Sequence, residues 1–117
     1  MLPQDWKQQF EAEVAQGFSA RENGNEGRAR VCARRAVAVL LVNYFNQRGT
    51  PPGKVDAYTV IQMAASDDGL PAVVREKLAH FLVRVEPGGR FPIDADLLSE
   101  AQWLAREISP GEDKPAG

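Results

Sequence analysis

Apolar positions along this chain recur at helical spacing from one end to the other. Trp6, Phe10, Val14 and Phe18 fall every fourth residue and so line one stripe of a helix. Pro3 suits the first turn of that helix, and Asn23-Gly24 supplies a residue able to take the left-handed conformation at its end. Asn25 can then cap a second helix, with Glu26 favourable at its positive end. A connection this tight predicts an antiparallel hairpin. The second helix is expected over Glu26–Gln47, ending at the breaker run Gly49-Thr50-Pro51-Pro52-Gly53.

Three shorter helices follow. Asp56 to Ser66 carries Tyr58, Ile61 and Ala65 on one face, and Asp67-Asp68-Gly69 makes a turn. A fourth helix starts at Pro71 and extends to about Val85, with Val74, Leu78, Phe81, Leu82 and Val85 as its stripe and Pro87-Gly88-Gly89 beyond. The fifth is expected from Asp94, as N-cap, to Ile108, with Leu97, Ala101, Leu104 and Ile108 inward and Trp103 pointing away. No segment alternates apolar and polar residues, so no sheet is predicted. The pattern gives an all-α, five-helix up-and-down bundle over 1–108 with a disordered tail over 109–117.

The second helix differs from the rest. Its C-terminal half, AVAVLLVNYF, is apolar nearly all round, as in a helix surrounded by protein. Its first half carries Ala29, Cys32, Ala33 and Ala36, small residues that permit close approach of a neighbour, from this chain or a second subunit. Charge gathers there too. Residues 21–35 hold five arginines (Arg21, Arg28, Arg30, Arg34 and Arg35) against Glu22 and Glu26, within a chain whose net charge is −2. That overall balance argues against wholesale nucleic-acid binding. Cys32 is the only cysteine, so no intrachain disulfide forms and no oxidising compartment is implied. The polar start MLPQDWKQQF does not resemble a signal peptide, and no apolar stretch approaches bilayer length. The expected location is a cytoplasm of bacterial type, with no membrane partner.

The chain supplies few groups for chemistry. A single histidine, His80, is too little for a zinc or iron site. GNEG at 24–27 opens a helix but lacks the strand and Lys-Ser/Thr of a phosphate loop. No cofactor and no metal is expected. Arg75 precedes His80 by five residues, and such a pair could cleave RNA without a metal. The imidazole would serve as general acid or base, and the guanidinium would neutralise phosphate charge. The simpler reading of the same residues is as solvated flank positions of the fourth helix, since a regular helix sets them about 140° apart. Arg28, Arg30, Arg34 and Arg35 are the candidate ligand-binding residues, with Arg30 and Arg34 spaced to grip a phosphate, but pairing with Glu11, Glu13 or Glu22 of the first helix, or with a partner chain, is the expected use.

Two stretches carry a family resemblance. NEGRARVCARRAVAVLLVNYF resembles the long central helix of the HEPN domain, a small prokaryotic helical bundle often found beside a minimal nucleotidyltransferase. GGRFPIDADLLSEAQWLAREI resembles that family's Arg-Tyr-Pro turn and acidic last helix, with Arg90-Phe91-Pro92 in place of the turn. The resemblance implies a homodimer, with a nucleotidyltransferase-type protein, RNA or a nucleotide as partner. In catalytic members an Arg and a His four to six residues apart form a metal-independent ribonuclease site composed across the dimer, a spacing that Arg75 and His80 match. Glu76 stands where those members carry a small polar residue. Members without a working motif act as binding or antitoxin-type partners. The chain is therefore expected to be a dimeric, HEPN-like binding or assembly module of toxin–antitoxin or nucleotidyltransferase-associated type, with a metal-independent endoribonuclease using Arg75 and His80 as the alternative.

Overall fold

A computed structural model describes residues 5–108 of the chain. Pro3 and the 109–117 tail, for which a helix start and disorder were expected, lie outside the described residues. Among the described residues five helices make up the fold, in the order α1 (Asp5–Glu22), α2 (Glu26–Gln47), α3 (Ala57–Ala65), α4 (Ala72–His80) and α5 (Leu97–Ile108). No strand occurs among the described residues. Among them too, no helix is long and apolar enough to cross a membrane.

Helix α2 is the member on which the others assemble, packing against α1, α3 and α5. Asn25 caps it as expected, its side-chain oxygen accepting from the Arg28 backbone N–H at 3.0 Å. Gly24 ends α1 with φ +78. Asn25 N–H reaches back to the Ala20 carbonyl at 2.8 Å, and Gly24 N–H to that of Arg21 at 3.0 Å. These two bonds satisfy carbonyls that the last turn of α1 would otherwise leave open. Gly49 closes α2 in the same manner, with Thr50 N–H on the Phe45 carbonyl at 3.0 Å.

The small residues of α2 are used inside the chain. Ala29, Cys32, Ala33 and Ala36 are all fully buried. Gly17 of α1 lies over this stripe, where an added Cβ would come 3.2 Å from Cys32 Cβ and 2.5 Å from Leu98 Cδ2 of α5. The close neighbour is thus α1 of the same chain, not a second subunit. Farther along, Val37, Leu40, Leu41 and Phe45 extend the buried stripe, while Ala38, Val39, Val42 and Tyr44 are only half-buried. The apolar half of α2 is covered on one side rather than surrounded.

Three expectations about the shorter helices are corrected. The buried face of α3 is Val60, Ile61 and Ala64, rotated from the Tyr58–Ile61–Ala65 face, because Tyr58 turns its hydroxyl to the Leu82 carbonyl at 2.6 Å. Helix α4 ends at His80, well before Val85, which is 41% exposed. Tertiary donors explain the early end. Arg34 Nε donates to the Phe81 carbonyl at 2.9 Å, Arg34 Nη2 to that of Val83 at 3.1 Å, and Tyr58 takes the one between. Those carbonyls therefore need no further helical turn to be satisfied. Helix α5 starts at Leu97 because Asp96, not Asp94, caps it, its Oδ1 accepting from the backbone N–H groups of Leu98 at 3.1 Å and Ser99 at 3.3 Å.

Asp96 has a second task. Arg21, in the last turn of α1, donates to both Asp96 oxygens (3.2 and 2.9 Å) and to both Glu26 oxygens (3.0 and 2.6 Å). One guanidinium thus ties the end of α1 to the starts of α2 and α5. Its hydrogen bonds hold Asp96 and Glu26 below their ordinary values of 3.8 and 4.5. At the other end of α2, Tyr44 donates to Asp67 Oδ2 at 3.0 Å and Arg48 Nη1 reaches the same atom at 2.6 Å, fastening the turn between α3 and α4.

Two outcomes follow from this packing. Gly17→Val places branched methyl groups where even a Cβ crowds Leu98, and should cost about 1–3 kcal/mol. Gly27→Ala, whose Cβ meets nothing nearer than 3.8 Å, should not lower stability. Urea midpoints at constant slope distinguish the two. The carboxylates held by Arg21 stabilise the fold above the ordinary carboxylate range, and that contribution is lost as pH falls through their depressed values. Arg21→Gln should lower the unfolding midpoint at pH 7 and weaken its dependence on pH below about 4, as followed by circular dichroism. An unchanged pH profile would show that the clamp does not stabilise the fold.

Candidate functional site

The four arginines expected to bind a ligand meet four different fates. Among the described residues, Arg35 alone of the four is ion-paired, to Glu13 of α1 at 3.2 Å. Arg34 is half-buried and bound to the two carbonyls that follow α4. Arg30 lies 4.8 Å from the centroid of the Phe91 ring, and its Nε is buried without a hydrogen-bond partner. Arg28 is exposed and borders a surface depression of about 260 Å³ between the end of α1 and the start of α2, with Gln16, Ser19 and Asn23. Structural pairing with the acids of α1 accounts for one of the four.

Arg30 and Arg34 sit one turn apart on α2 and so share a face. A third cation joins them. Arg84, in the segment after α4, stands 4.4 Å from the Tyr58 ring centroid. Burial, and then the nearby charges of Arg30 and Arg84, push the Arg34 guanidinium below its ordinary value, with an opposing contribution from Tyr58. Arg30 and Arg84 thus each bear on the charge of Arg34, which stands between them as the shared neighbour. Their companions are ring faces and carbonyls. Among the described residues, no carboxylate forms an ion pair with any of the three. Glu26, one turn before Arg30, has both oxygens on Arg21.

Arg75 and His80 are held by different neighbours. Arg75 Nε donates to the Leu70 carbonyl at 3.1 Å, back toward the turn that opens α4. His80, at the end of α4, places Nδ1 2.7 Å from Glu100 Oε1 of α5. An ionised carboxylate only accepts, so this contact suits an imidazole with its proton on Nδ1. Lys77 Nζ lies 4.0 Å from the other Glu100 oxygen and 6.0 Å from the Trp103 ring centroid. Arg75 and His80 thus have different hydrogen-bond partners, the Leu70 carbonyl and the Glu100 carboxylate.

Several of these residues were not apparent in the sequence. Arg84 lies in the irregular segment after α4, and nothing in local spacing ties it to α2. Glu100 lies 20 positions from His80, with only the inward stripe of α5 to orient it. Phe91 was visible as part of the Arg90-Phe91-Pro92 turn, and its place beside Arg30 gives that turn a contact with α2.

A groove of about 430 Å³ runs between α1 and α5, floored by Phe10, Val14 and Phe18 and flanked by Glu11 and Arg106. Among the described residues, no group of three His, Cys, Asp or Glu side chains is placed to hold a metal ion. In comparisons with known proteins, the chain matches no family model, no curated protein and no solved structure.

Proposed function

We propose that this chain is a binding and assembly module, an HEPN-like up-and-down bundle of toxin–antitoxin or nucleotidyltransferase-associated type that works as a homodimer. The observation that carries the reading is the state of the α2 arginines. Arg28 and Arg30 make no ion pair among the described residues, and Arg34 is satisfied by carbonyls that leave its charge intact. Cations with no directly bonded carboxylate on a structural helix are costly in a merely packed protein and useful in one that receives an anionic partner.

The dimer half of the reading draws on the groove between α1 and α5. Its floor is apolar, and its two walls carry opposite charges, Glu11 on α1 and Arg106 on α5. A two-fold related copy would set Glu11 of one chain against Arg106 of the other, the self-complementary arrangement that a symmetric interface requires. The protein should sediment as a dimer at micromolar concentration. Ala15→Arg, at an exposed position beside the groove, should shift it to monomer without changing its helical content. A wild-type protein that stays monomeric throughout would end the dimer reading.

A second reading, a metal-independent endoribonuclease, is favoured by one contact. Glu100 orients His80 through Nδ1, as a general base needs. In the family that the chain resembles such a site is composed across the dimer, and within one chain Arg75 Nε is already engaged by the Leu70 carbonyl. Purified protein should cut RNA in the presence of EDTA and His80→Ala should stop it. An uncut RNA, or equal cutting by the variant, would leave the binding module as the sole reading.

A further inference from the structure

We propose that Arg30, Arg34 and Arg84 form one site that binds a phosphate oxyanion. The proposal rests on the reading of the α2 flank as a binding surface and names what that surface takes.

The site is assembled from three parts of the chain. Arg30 and Arg34 come from successive turns of α2, and Arg84 from the segment that leaves α4. The Arg34 bonds to the Phe81 and Val83 carbonyls bring that segment against α2, so the contact that ends α4 also delivers Arg84 to the neighbourhood of Arg34. Each flanking guanidinium rests on an aromatic ring, Arg30 on Phe91 and Arg84 on Tyr58. A ring face holds a cation in place but does not cancel its charge. The three are thus fixed in orientation and remain positive together.

Donors remain available. Arg30 Nε is buried and unpartnered, a state that carries a desolvation cost unless an acceptor arrives. Arg34 uses Nε and one Nη2 proton, leaving the Nη1 protons and the second Nη2 proton. A tetrahedral oxyanion of charge near −2 offers several acceptor oxygens to guanidinium forks, and offsets the repulsion that Arg34 feels from Arg30 and Arg84. The ligand should be compact. The chain as a whole carries a net charge of −2, so it exerts no broad attraction on a long polyanion. A terminal phosphate of a nucleotide fits that description better than an extended RNA backbone, although both present the same chemistry.

The test is isothermal titration calorimetry of the full chain with inorganic pyrophosphate at fixed ionic strength. Saturable binding is expected, and Arg30→Gln and Arg84→Gln should each weaken it about tenfold or more. Arg35→Gln, which alters an arginine paired to Glu13 outside the cluster, should bind as the wild type does. A fluorescent single-stranded RNA without terminal phosphates forms the second arm. Displacement of that RNA by pyrophosphate would place the backbone diester in the same site. Pyrophosphate binding without RNA binding would assign a terminal or free phosphate. Absence of saturable pyrophosphate binding, or equal affinity in both cluster variants, would overturn the proposal. The sedimentation measurement keeps the two readings separate. A monomer that binds pyrophosphate through Arg30 and Arg84 upholds the site and removes the dimer, and a dimer that does not bind it does the reverse.

Discussion

Helix α2 imposes the governing constraint, because it buries small side chains before it buries large ones. From Ala29 to Ala36 its inner face is alanine and cysteine, and from Val37 to Phe45 it is valine, leucine and phenylalanine. The small end lets Gly17 of α1 approach within van der Waals range of Cys32, with Leu98 of α5 closing over both. The large end fills the space against α3 and α5. Interiors tolerate little error in volume, so this gradient sets where each neighbour can lie. The arginines then fall on the part of α2 that its neighbouring helices leave uncovered.

Arg34 connects that packing to the candidate site. It leaves the central helix, binds the two carbonyls after α4 and so determines where α4 stops. The segment from Leu82 to Ala95 is held to the body from this point, with Tyr58 on Leu82 and Arg30 over Phe91. A backbone connection, a helix end and a concentration of positive charge are consequences of a single side chain. Loss of that side chain would disturb all three together, which is why Arg30 and Arg84 are the cleaner probes of charge.

Most of the helical plan was legible in the sequence, and the reason is local chemistry. Asn25 and Gly24 mark the α1–α2 junction, and Asp56 caps α3 through the Thr59 N–H at 2.8 Å. Caps and breakers act within a few residues and so leave a trace in spacing. The end of α4 and the start of α5 escaped for the opposite reason. Leu82 and Val85 continue the apolar stripe of α4, and the donors that end the helix before them are distant in sequence, Arg34 by 47 and 49 positions and Tyr58 by 24. Asp94 and Asp96 are equivalent caps by residue type, and Arg21, 75 positions before Asp96, distinguishes them. The site was half legible on the same grounds. Arg30 and Arg34 share a helical face by spacing, whereas Arg84 and Glu100 join their partners only through the tertiary fold.

The burial of Cys32 gives the molecule a built-in reporter. Its sulfur has no exposed surface and lies beneath Gly17 and Leu98. A thiol reagent can reach it only when α1 or α5 lifts from α2. The rate at which the thiol reacts in the native protein would therefore measure the free energy of opening the first hairpin, in the way that amide exchange measures it for a backbone hydrogen. Because the sequence has one cysteine, that signal would come from a single known place.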